Sequence, residues 1–125
     1  MTGLTYDTGA LIAAERGDER MWALHKRALQ RGITPMVPAT VLAESWRGQA
    51  LLARLVSGTE IEPLEEARAK VAGLILARCA HEVGGVDATV VEAALRRRET
   101  VVTSNRGDLE LLADAVGRRL SVIDI

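Results

Sequence analysis

Short apolar stretches alternate with longer amphipathic stretches along the whole chain. The short stretches, rich in β-branched residues, predict strands at 4–7, 33–37, 59–64, 100–104 and 120–125. The longer stretches have apolar residues at helical spacing, and glycines such as Gly17, Gly32 and Gly58 follow several of them. They predict helices at 8–15, 18–31, 39–47, 49–57, 65–83, 87–98 and 107–116. This alternation is typical of an α/β fold, in which helices cover a mostly parallel sheet.

The overall composition is that of an ordinary folded protein in a reducing compartment. Residues 1–125 are enough for one domain that folds without disulfides, and 48% of them are hydrophobic. The net charge of −1 excludes a global basic field, so nucleic-acid binding would need a local patch. Cys79 is the only cysteine, which excludes a disulfide framework and a cysteine-based zinc site. Because the chain has no apolar run of about 18–20 residues and no secretion signal, we expect a cytoplasmic protein without a membrane partner.

Four acidic residues lie at or near junctions between predicted strands and helices. Asp7 ends the first strand, and Glu44 lies one to two turns into the helix after the second. Asp87 and Asp108 open the last two predicted helices, each on a stripe that continues with apolar residues. Since ligands in open α/β sheets bind beyond the carboxyl ends of the strands, these acids are candidates for one site.

Helix capping is the alternative explanation for the aspartates. Asp is a favoured N-cap residue, and Asn105 followed by Asp108 resembles a capping box. Capping does not explain Glu44, whose alternative is a solvent-exposed helix residue paired with Arg47. If the acids instead converge, their charges repel, and a divalent cation such as Mg²⁺ or Mn²⁺ would relieve that repulsion. Taken one at a time, the residues leave both explanations open.

Other charged and polar residues suggest simpler roles. The run at 96–98 predicts a solvated helix end that complements the helix dipole, and Glu92 is expected on the solvated face beside it. Arg106 adjoins two site candidates and is the better candidate for an RNA phosphate contact. His25 and His81 are expected at the surface or at helix ends, because no acid and nucleophile surround them.

Four segments of the chain resemble, in order, the motifs of a known nuclease family. They are "YDTGALIA", "VLAESWR", "GGVDATVVEAAL" and "VVTSNRGDLELL", and together they extend over nearly the whole chain. In this order they resemble the PIN-domain ribonucleases, in particular the VapC-like toxins of type II toxin–antitoxin pairs. The resemblance implies a three-layer α/β/α PIN-like fold with a mostly parallel, roughly five-stranded sheet. It also implies an endonuclease that hydrolyses RNA phosphodiester bonds with Mg²⁺ or Mn²⁺.

The resemblance also implies roles for individual residues. The catalytic, metal-binding acids would be Asp7, Glu44, Asp87 and Asp108. Thr103 and Asn105 would lie at the rim of the site as polar or phosphate-contacting residues, with Arg106 beside them as a contact to RNA. Many relatives carry an acid at the position of Asn105, so the role of the fourth acid rests here on Asp108.

Three partners follow from the resemblance. They are an RNA substrate such as tRNA or ribosomal RNA, a second copy in a homodimer, and a cognate antitoxin whose C-terminal segment blocks the site from a groove. Candidates for the groove or the dimer interface, with the core as the alternative, are Trp22, Trp46, Leu51, Leu52 and Leu55. Two other functions stay open: a non-catalytic PIN-like protein-binding module, and a receiver-like phosphoacceptor domain, for which Asp7 lacks a neighbouring acid.

Overall fold

Strands and helices alternate in the computed structural model, which describes residues 2–125. These residues form five strands: β1 Leu4–Tyr6, β2 Met36–Pro38, β3 Glu60–Glu62, β4 Thr100–Thr103 and β5 Val122–Asp124. They also form seven helices: α1 Thr8–Glu15, α2 Glu19–Gln30, α3 Ala39–Ser45, α4 Ala50–Val56, α5 Glu66–Arg78, α6 Gly85–Arg97 and α7 Arg106–Ala115. Every predicted element is present, and the clearest shifts in bounds are at β2 and α5. The long helix ends at Arg78 because Cys79 already has an extended backbone, with ψ 126°.

The five strands within residues 2–125 form one parallel sheet, as predicted. Their order is β3-β2-β1-β4-β5, and every neighbouring pair is parallel. The direction in which the chain adds strands reverses between β1 and β4, and such a reversal opens a crevice at the carboxyl ends of the strands. A receiver-like domain has the strand order 2-1-3-4-5, so the phosphoacceptor alternative is wrong for this chain.

Helices cover both faces of the sheet and give the expected three-layer architecture. Right-handed connections carry the chain from β1 through β2 to β3 along one face, and then to β4 and β5 along the other. This puts α1 to α4 in one layer and α5 to α7 in the other, where the helices pack against one another. Among the fully buried core residues are Tyr6, Leu11, Leu52, Val90 and Leu109. No helix within residues 2–125 is long and apolar enough to cross a membrane.

His25 lies in the core, so the expectation of a surface histidine was wrong. Its side chain is 4% exposed, and its Nδ1 lies 2.9 Å from the hydroxyl of Tyr6. Burial raises the pKa of Tyr6, so the phenol stays protonated and its hydroxyl forms a hydrogen bond with the imidazole. Burial also lowers the pKa of His25. The helical spacing carried the missed signal, because His25 shares the buried stripe of α2 with Met21 and Ala28.

The arginine run at the end of α6 is half-buried in an ionic network, which contradicts the predicted solvated helix end. Glu62 on β3 accepts from both Arg96 and Arg97. Arg96 also pairs with Glu92, which is only 6% exposed and therefore not on a solvated face as expected. Glu62 precedes Arg96 by 34 residues, so the helical pattern alone could not show this pairing. Arg98 is the one member of the run that is exposed.

Candidate functional site

Asp7 lies at the end of β1, beside the point where the strand order reverses. It is the N-cap of α1, and its Oδ1 accepts a hydrogen bond from the backbone N–H of Thr8 at 2.7 Å. Its Oδ2 accepts from the hydroxyl of Thr103 at 2.7 Å. The side chain is 2% exposed, and burial raises its pKa against the opposing effect of these two hydrogen bonds. Asp7 therefore caps a helix and is also buried at the carboxyl end of β1, where the reversal of strand order places the crevice.

Thr103 joins the ends of two neighbouring strands through its hydroxyl group. It ends β4, which pairs with β1 so that Tyr6 lies opposite Val102. The hydroxyl donates to Asp7 and accepts from the backbone N–H of Asn105 at 2.9 Å. The expected rim position of Thr103 needs correction, because this side chain is fully buried beneath the crevice.

Thr8 brings Glu44 on α3 to the same edge of the sheet. Its hydroxyl donates to Oε1 of Glu44 at 2.7 Å, while its backbone N–H donates to Asp7. Glu44 is exposed, and Arg47 donates to backbone carbonyls rather than to Glu44, so the expected alternative pairing is absent from residues 2–125. Sequence reasoning missed Thr8 as a site residue. The signal available was a hydroxyl residue directly after the strand-end aspartate.

Asp87 lies in the first turn of α6, where it feels the charge of the other three acids. Burial and the negative charges of Asp7, Asp108 and Glu44, in that order, raise its pKa to about 6. The side chain is half-buried. The four predicted acids therefore occupy one region, close enough for the charges of the other three to disfavour ionisation of Asp87.

Asp108 lies in the first turn of α7 and is held by a neighbouring amide. The side-chain amide of Asn105 donates to its Oδ2 at 3.0 Å. Asn105 is the N-cap of α7 but makes no capping hydrogen bond with its side chain, so the predicted capping box is absent. The amide instead offers a neutral donor to an acid at the rim of the crevice.

The carboxylates provide the donor chemistry of a site for a hard divalent cation. No group of three or more His, Cys, Asp or Glu side chains within residues 2–125 has the geometry to hold a metal ion as it stands. Mg²⁺ often needs only one or two carboxylates, because it keeps several waters and takes further oxygens from substrate phosphates. The oxygen donors therefore fit Mg²⁺ or Mn²⁺ in chemistry, whereas a softer metal that prefers sulfur or imidazole finds no ligands here.

Arg106 forms an exposed ion pair with Asp124, and its predicted RNA contact stays a prediction. Its Nε and Nη2 donate to the carboxylate of Asp124 on β5, with Nη2 at 2.8 Å from Oδ2. It also donates to the carbonyl of Val122 at 3.2 Å. This pairing ties the start of α7 to β5, so the residue anchors the helix that carries Asp108.

Gly9 permits a close approach between α1 and the loop after β4. A Cβ atom at this position would lie 2.7 Å from the backbone nitrogen of Ser104, closer than real contacts allow. Because Asp7 precedes this contact and Thr103 precedes Ser104, the glycine helps to keep the two sides of the crevice together. Sequence reasoning missed this role, which only the three-dimensional contact shows.

The apolar candidates for an interface divide into core and surface residues. Leu52 and Leu55 are fully buried and belong to the core. Trp46 and Leu51 are 41% and 39% exposed. Trp22 is half-buried, and its indole N–H donates to a carbonyl of α1 at 3.0 Å. Trp46 and Leu51 therefore stay available for a partner.

Comparisons with known proteins agree with this fold. No protein-family model matches the sequence, and no curated protein matches it. One similar solved structure is VapBC2 from Rickettsia felis bound to a DNA fragment from its promoter, with a TM-score of 0.77 and 16% identity over 98% of each chain. Another is DNA-bound VapBC from Salmonella typhimurium, with a TM-score of 0.72 and 20% identity over 99% of this chain and 98% of that one.

FitAB bound to an IR36 DNA fragment is also similar, with a TM-score of 0.67 and 18% identity over 97% of this chain and 94% of that one. Identities at this level establish a common fold. Over nearly its whole length, this chain has the fold of a protein chain found in these complexes.

Proposed function

We propose that this protein is a Mg²⁺- or Mn²⁺-dependent endoribonuclease that acts in the cytoplasm as the toxin of a toxin–antitoxin pair. The observation that carries the proposal is the buried carboxylate of Asp7, with three further acids around the same crevice. Helix capping would not require burial of Asp7, nor the burial and neighbouring negative charges that raise the pKa of Asp87. A cation that compensates this repulsion explains why the acids gather at one edge of the sheet.

The cation would be held by Asp7, Glu44, Asp87 and Asp108, with oxygens of the substrate phosphate completing its ligands. When bound, a divalent cation of this kind supplies activation of water and neutralises charge on the phosphate. RNA phosphodiester hydrolysis on such a site would leave a 5′-phosphate and a 3′-hydroxyl.

Polar residues around the acids keep three of them in place. Thr103 donates to Asp7 and so favours its charged form despite burial. Thr8 holds Oε1 of Glu44, and Asn105 holds Oδ2 of Asp108, which leaves one oxygen of each carboxylate without a partner within residues 2–125. These oxygens are the ones that the proposal assigns to the cation.

Cleavage of RNA by the purified chain tests the proposed activity. Total cellular RNA is incubated with the protein and either Mn²⁺, Mg²⁺ or EDTA. We expect cleavage with the metals only, and a loss of at least about 100-fold in Asp7→Asn, since a ligand and its charge are removed. Asp18→Asn is the matched control, because Asp18 caps α2 through Met21 and lies outside the crevice. Equal activity of Asp7→Asn and Asp18→Asn would refute the metal-dependent mechanism.

A non-catalytic binding module is the second candidate function. It draws support from the lack of a preformed metal-binding group among residues 2–125 and from the neutral Asn105. The same assay separates the candidates when it is combined with calorimetric titration of Mn²⁺. Metal binding without RNA cleavage on any substrate pool would favour the binding module.

An antitoxin would bind the groove between α2 and α4. This groove has a volume of about 680 Å³ and is lined by Trp22, Leu29 and the basic residues Lys26 and Arg54, among others. Apolar and cationic groups together fit an amphipathic, acidic segment. Co-expression with the candidate antitoxin tests this: Leu29→Glu should weaken the complex at least about 10-fold, whereas Leu74→Glu on the opposite helix layer should not.

A second copy of the chain would cover the outer face of α5. Val71 and Leu74 on this helix are 43% and 66% exposed, and Leu64 just before it is 42% exposed. A helix face of this kind is usually covered by a partner. We expect a dimer by light scattering without antitoxin, and a monomer for Leu74→Lys. If light scattering gives the same particle mass for Leu74→Lys, for the control Leu29→Lys and for the unmodified chain, α5 is not the dimer interface.

A further inference from the structure

A pocket of about 220 Å³ lies at the opposite edge of the sheet from the acids. It is formed where β4 and β5 begin, and Thr100 and Ser121 contribute to its lining. The strand β4 runs from Thr100 at this pocket to Thr103 beneath the acidic crevice. The two sites therefore occupy opposite ends of one strand, and none of the four acids lines this pocket.

Three arginines line this pocket without a partner of their own. Within residues 2–125, the side chains of Arg98, Arg118 and Arg119 make no ion pair and no hydrogen bond, and all three are exposed. The acid in the lining, Glu99, is already engaged, because it accepts from Arg97 at 3.0 Å and from Thr5 at 2.9 Å. The pocket therefore has an uncompensated positive charge, although the whole chain has a net charge of −1.

Hydroxyl groups form a continuous row within the same pocket. The hydroxyl of Thr100 lies 3.3 Å from that of Thr2 and 2.8 Å from that of Ser121. Hydroxyls can turn to donate to an anion, and Ser and Thr are frequent contacts to phosphate oxygens beside arginine. The row thus supplies neutral donors next to the three cations.

Arg98 occupies a backbone position that usually favours glycine. As the C-cap of α6 it has φ 55° and ψ 46°, in the left-handed region. The other residues with positive φ within residues 2–125 are all glycines, at 17, 32, 48 and 117. Glycine would relieve the steric cost at position 98, yet the position carries a long cationic side chain at the pocket.

We propose that this arginine pocket binds phosphate groups of a nucleic-acid backbone. Guanidinium groups match phosphate oxygens in paired hydrogen bonds, and adjacent hydroxyls complete such contacts. The pocket would hold a segment remote from the bond that is cut, and so add affinity without base recognition. That the nucleic acid is RNA rests on the proposed function, whereas the anion chemistry of the pocket does not.

The salt dependence of binding tests the pocket without any need for cleavage. Fluorescence anisotropy is measured in EDTA with a labelled single-stranded RNA, between 25 and 200 mM salt. Each phosphate contact contributes about 0.7 to the slope of log Kobs against log salt on a single strand, so three arginines account for about 2. We expect the triple variant Arg98→Gln, Arg118→Gln, Arg119→Gln to lose a slope of about 2 and to bind at least about 10-fold more weakly.

A matched triple variant separates this pocket from general electrostatics. Arg27→Gln, Arg31→Gln and Arg78→Gln remove the same charge from exposed arginines outside the pocket, and should leave the slope unchanged. Lysine at 98, 118 and 119 should restore the slope, because phosphate contacts of this kind depend on charge. Circular dichroism verifies that each variant is folded. Equal losses in the two glutamine triples, or no loss in the first, would overturn the proposal.

A second arm with single-stranded DNA of the same sequence and length shows whether the contacts depend on the sugar. Loss of slope on both nucleic acids assigns the contacts to phosphate alone, and loss on RNA alone adds a ribose contact. Loss on neither overturns the inference. Failure of the proposed nuclease is a separate result, because a protein that never cleaves RNA can still show pocket-dependent binding in EDTA.

Discussion

The hydroxyl of Thr103 lies 2.7 Å from Oδ2 of Asp7 and donates to a carboxylate that is only 2% exposed. A buried carboxylate stays charged only when hydrogen bonds replace the lost water. The same hydroxyl accepts from the backbone of Asn105 at 2.9 Å, so its proton is directed towards Asp7. The Thr103 side chain thus connects the ends of β1 and β4, and it also favours the ionised form of Asp7.

Removal of the Thr103 hydroxyl should weaken both the fold and the site. In Thr103→Val the shape is kept, but Asp7 loses a donor, so its pKa should rise further. We expect a loss of about 1.5–3 kcal/mol in the free energy of unfolding at pH 7, the range for a hydrogen bond to a charged group. Urea unfolding measures this, and Thr103→Ser should retain most of the stability. A Thr103→Val protein as stable as the unmodified chain would show that Asp7 does not need this donor.

The charge on Asp87 should destabilise the metal-free protein. Burial and the neighbouring carboxylates raise its pKa to about 6, so folding disfavours the ionised form present at pH 7. Asp87→Asn in EDTA should therefore be more stable by about 1–2 kcal/mol, after allowance for solvent screening at a half-buried position.

Addition of Mg²⁺ should reduce the stability advantage of Asp87→Asn over the unmodified chain. The Tm of the unmodified chain should rise with millimolar Mg²⁺ because the cation binds only the folded state. Asp87→Asn, with one carboxylate fewer, should rise less. If Mg²⁺ raises the Tm of both proteins equally, Asp87 is not part of the proposed metal site.

Acidification should destabilise the protein through His25. Burial holds its folded pKa below the ordinary value of 6.5, so between these two values the unfolded chain binds more protons than the folded one. Buried, neutral His25 therefore costs the fold no stability above pH 6.5. The fold loses stability through this residue as the pH is lowered through that window. Protonation of Asp87 acts in the opposite direction in this window, so the test uses an Asp87→Asn background. In urea unfolding we expect its stability to fall from pH 7 to pH 5, and the fall to be largely absent when His25→Gln is added. The control His81→Gln, at an exposed position, should keep the full pH dependence.

The ionic network of Glu62 should contribute far more than a surface ion pair. Glu62 accepts from Arg96 and Arg97, and the side chains of the three residues are 19–26% exposed. Glu62→Gln should cost about 2–3 kcal/mol, because two half-buried guanidinium groups lose their shared carboxylate. Glu66→Gln breaks the ion pair between Glu66 and Lys70, whose side chains are 82% and 73% exposed. This substitution should cost under about 0.5 kcal/mol. Similar costs for the two variants would contradict the importance of burial here.

Substitution of Arg98 by glycine should stabilise the fold while it weakens nucleic-acid binding. The left-handed backbone at φ 55° costs a non-glycine residue about 1–2 kcal/mol, part of which glycine loses again through its greater unfolded entropy. We expect a net gain of about 0.5–1 kcal/mol in urea unfolding. Arg98→Ala removes the charge but keeps the strain and should give no gain. A gain in Arg98→Ala would mean that charge repulsion, rather than the backbone, is relieved.

Alternation of short apolar stretches with longer amphipathic stretches was sufficient to predict the parallel α/β fold. The strand pattern and the helix pattern are both local features of the sequence. The grouping of Asp7 and Asp87 at one edge was also within reach, since parallel strands place their carboxyl ends together. The prediction rested on spacing within single elements and on a general property of sheets.

Long-range pairing explains what could not be predicted. The ion pair of Arg106 with Asp124 was not visible from the helical pattern, because Asp124 lies 18 residues further on, in β5. Arg96 looked solvated because its partner Glu62 belongs to β3, which the pattern of α6 cannot show. Local periodicity assigns a residue to a face, whereas the partner that neutralises a charge depends on which elements the fold brings together.

The strand β4 has four residues, so roughly 13 Å separates its two ends. Four carboxylates surround one end, and three guanidinium groups without a partner within residues 2–125 surround the other, so these seven groups separate charge along β4. This separation favours the approach of a long polyanion with its phosphates towards the arginines and away from the acids. A cation in the acidic crevice would reduce the separation, and so the repulsion at the end where the proposed cleavage would take place.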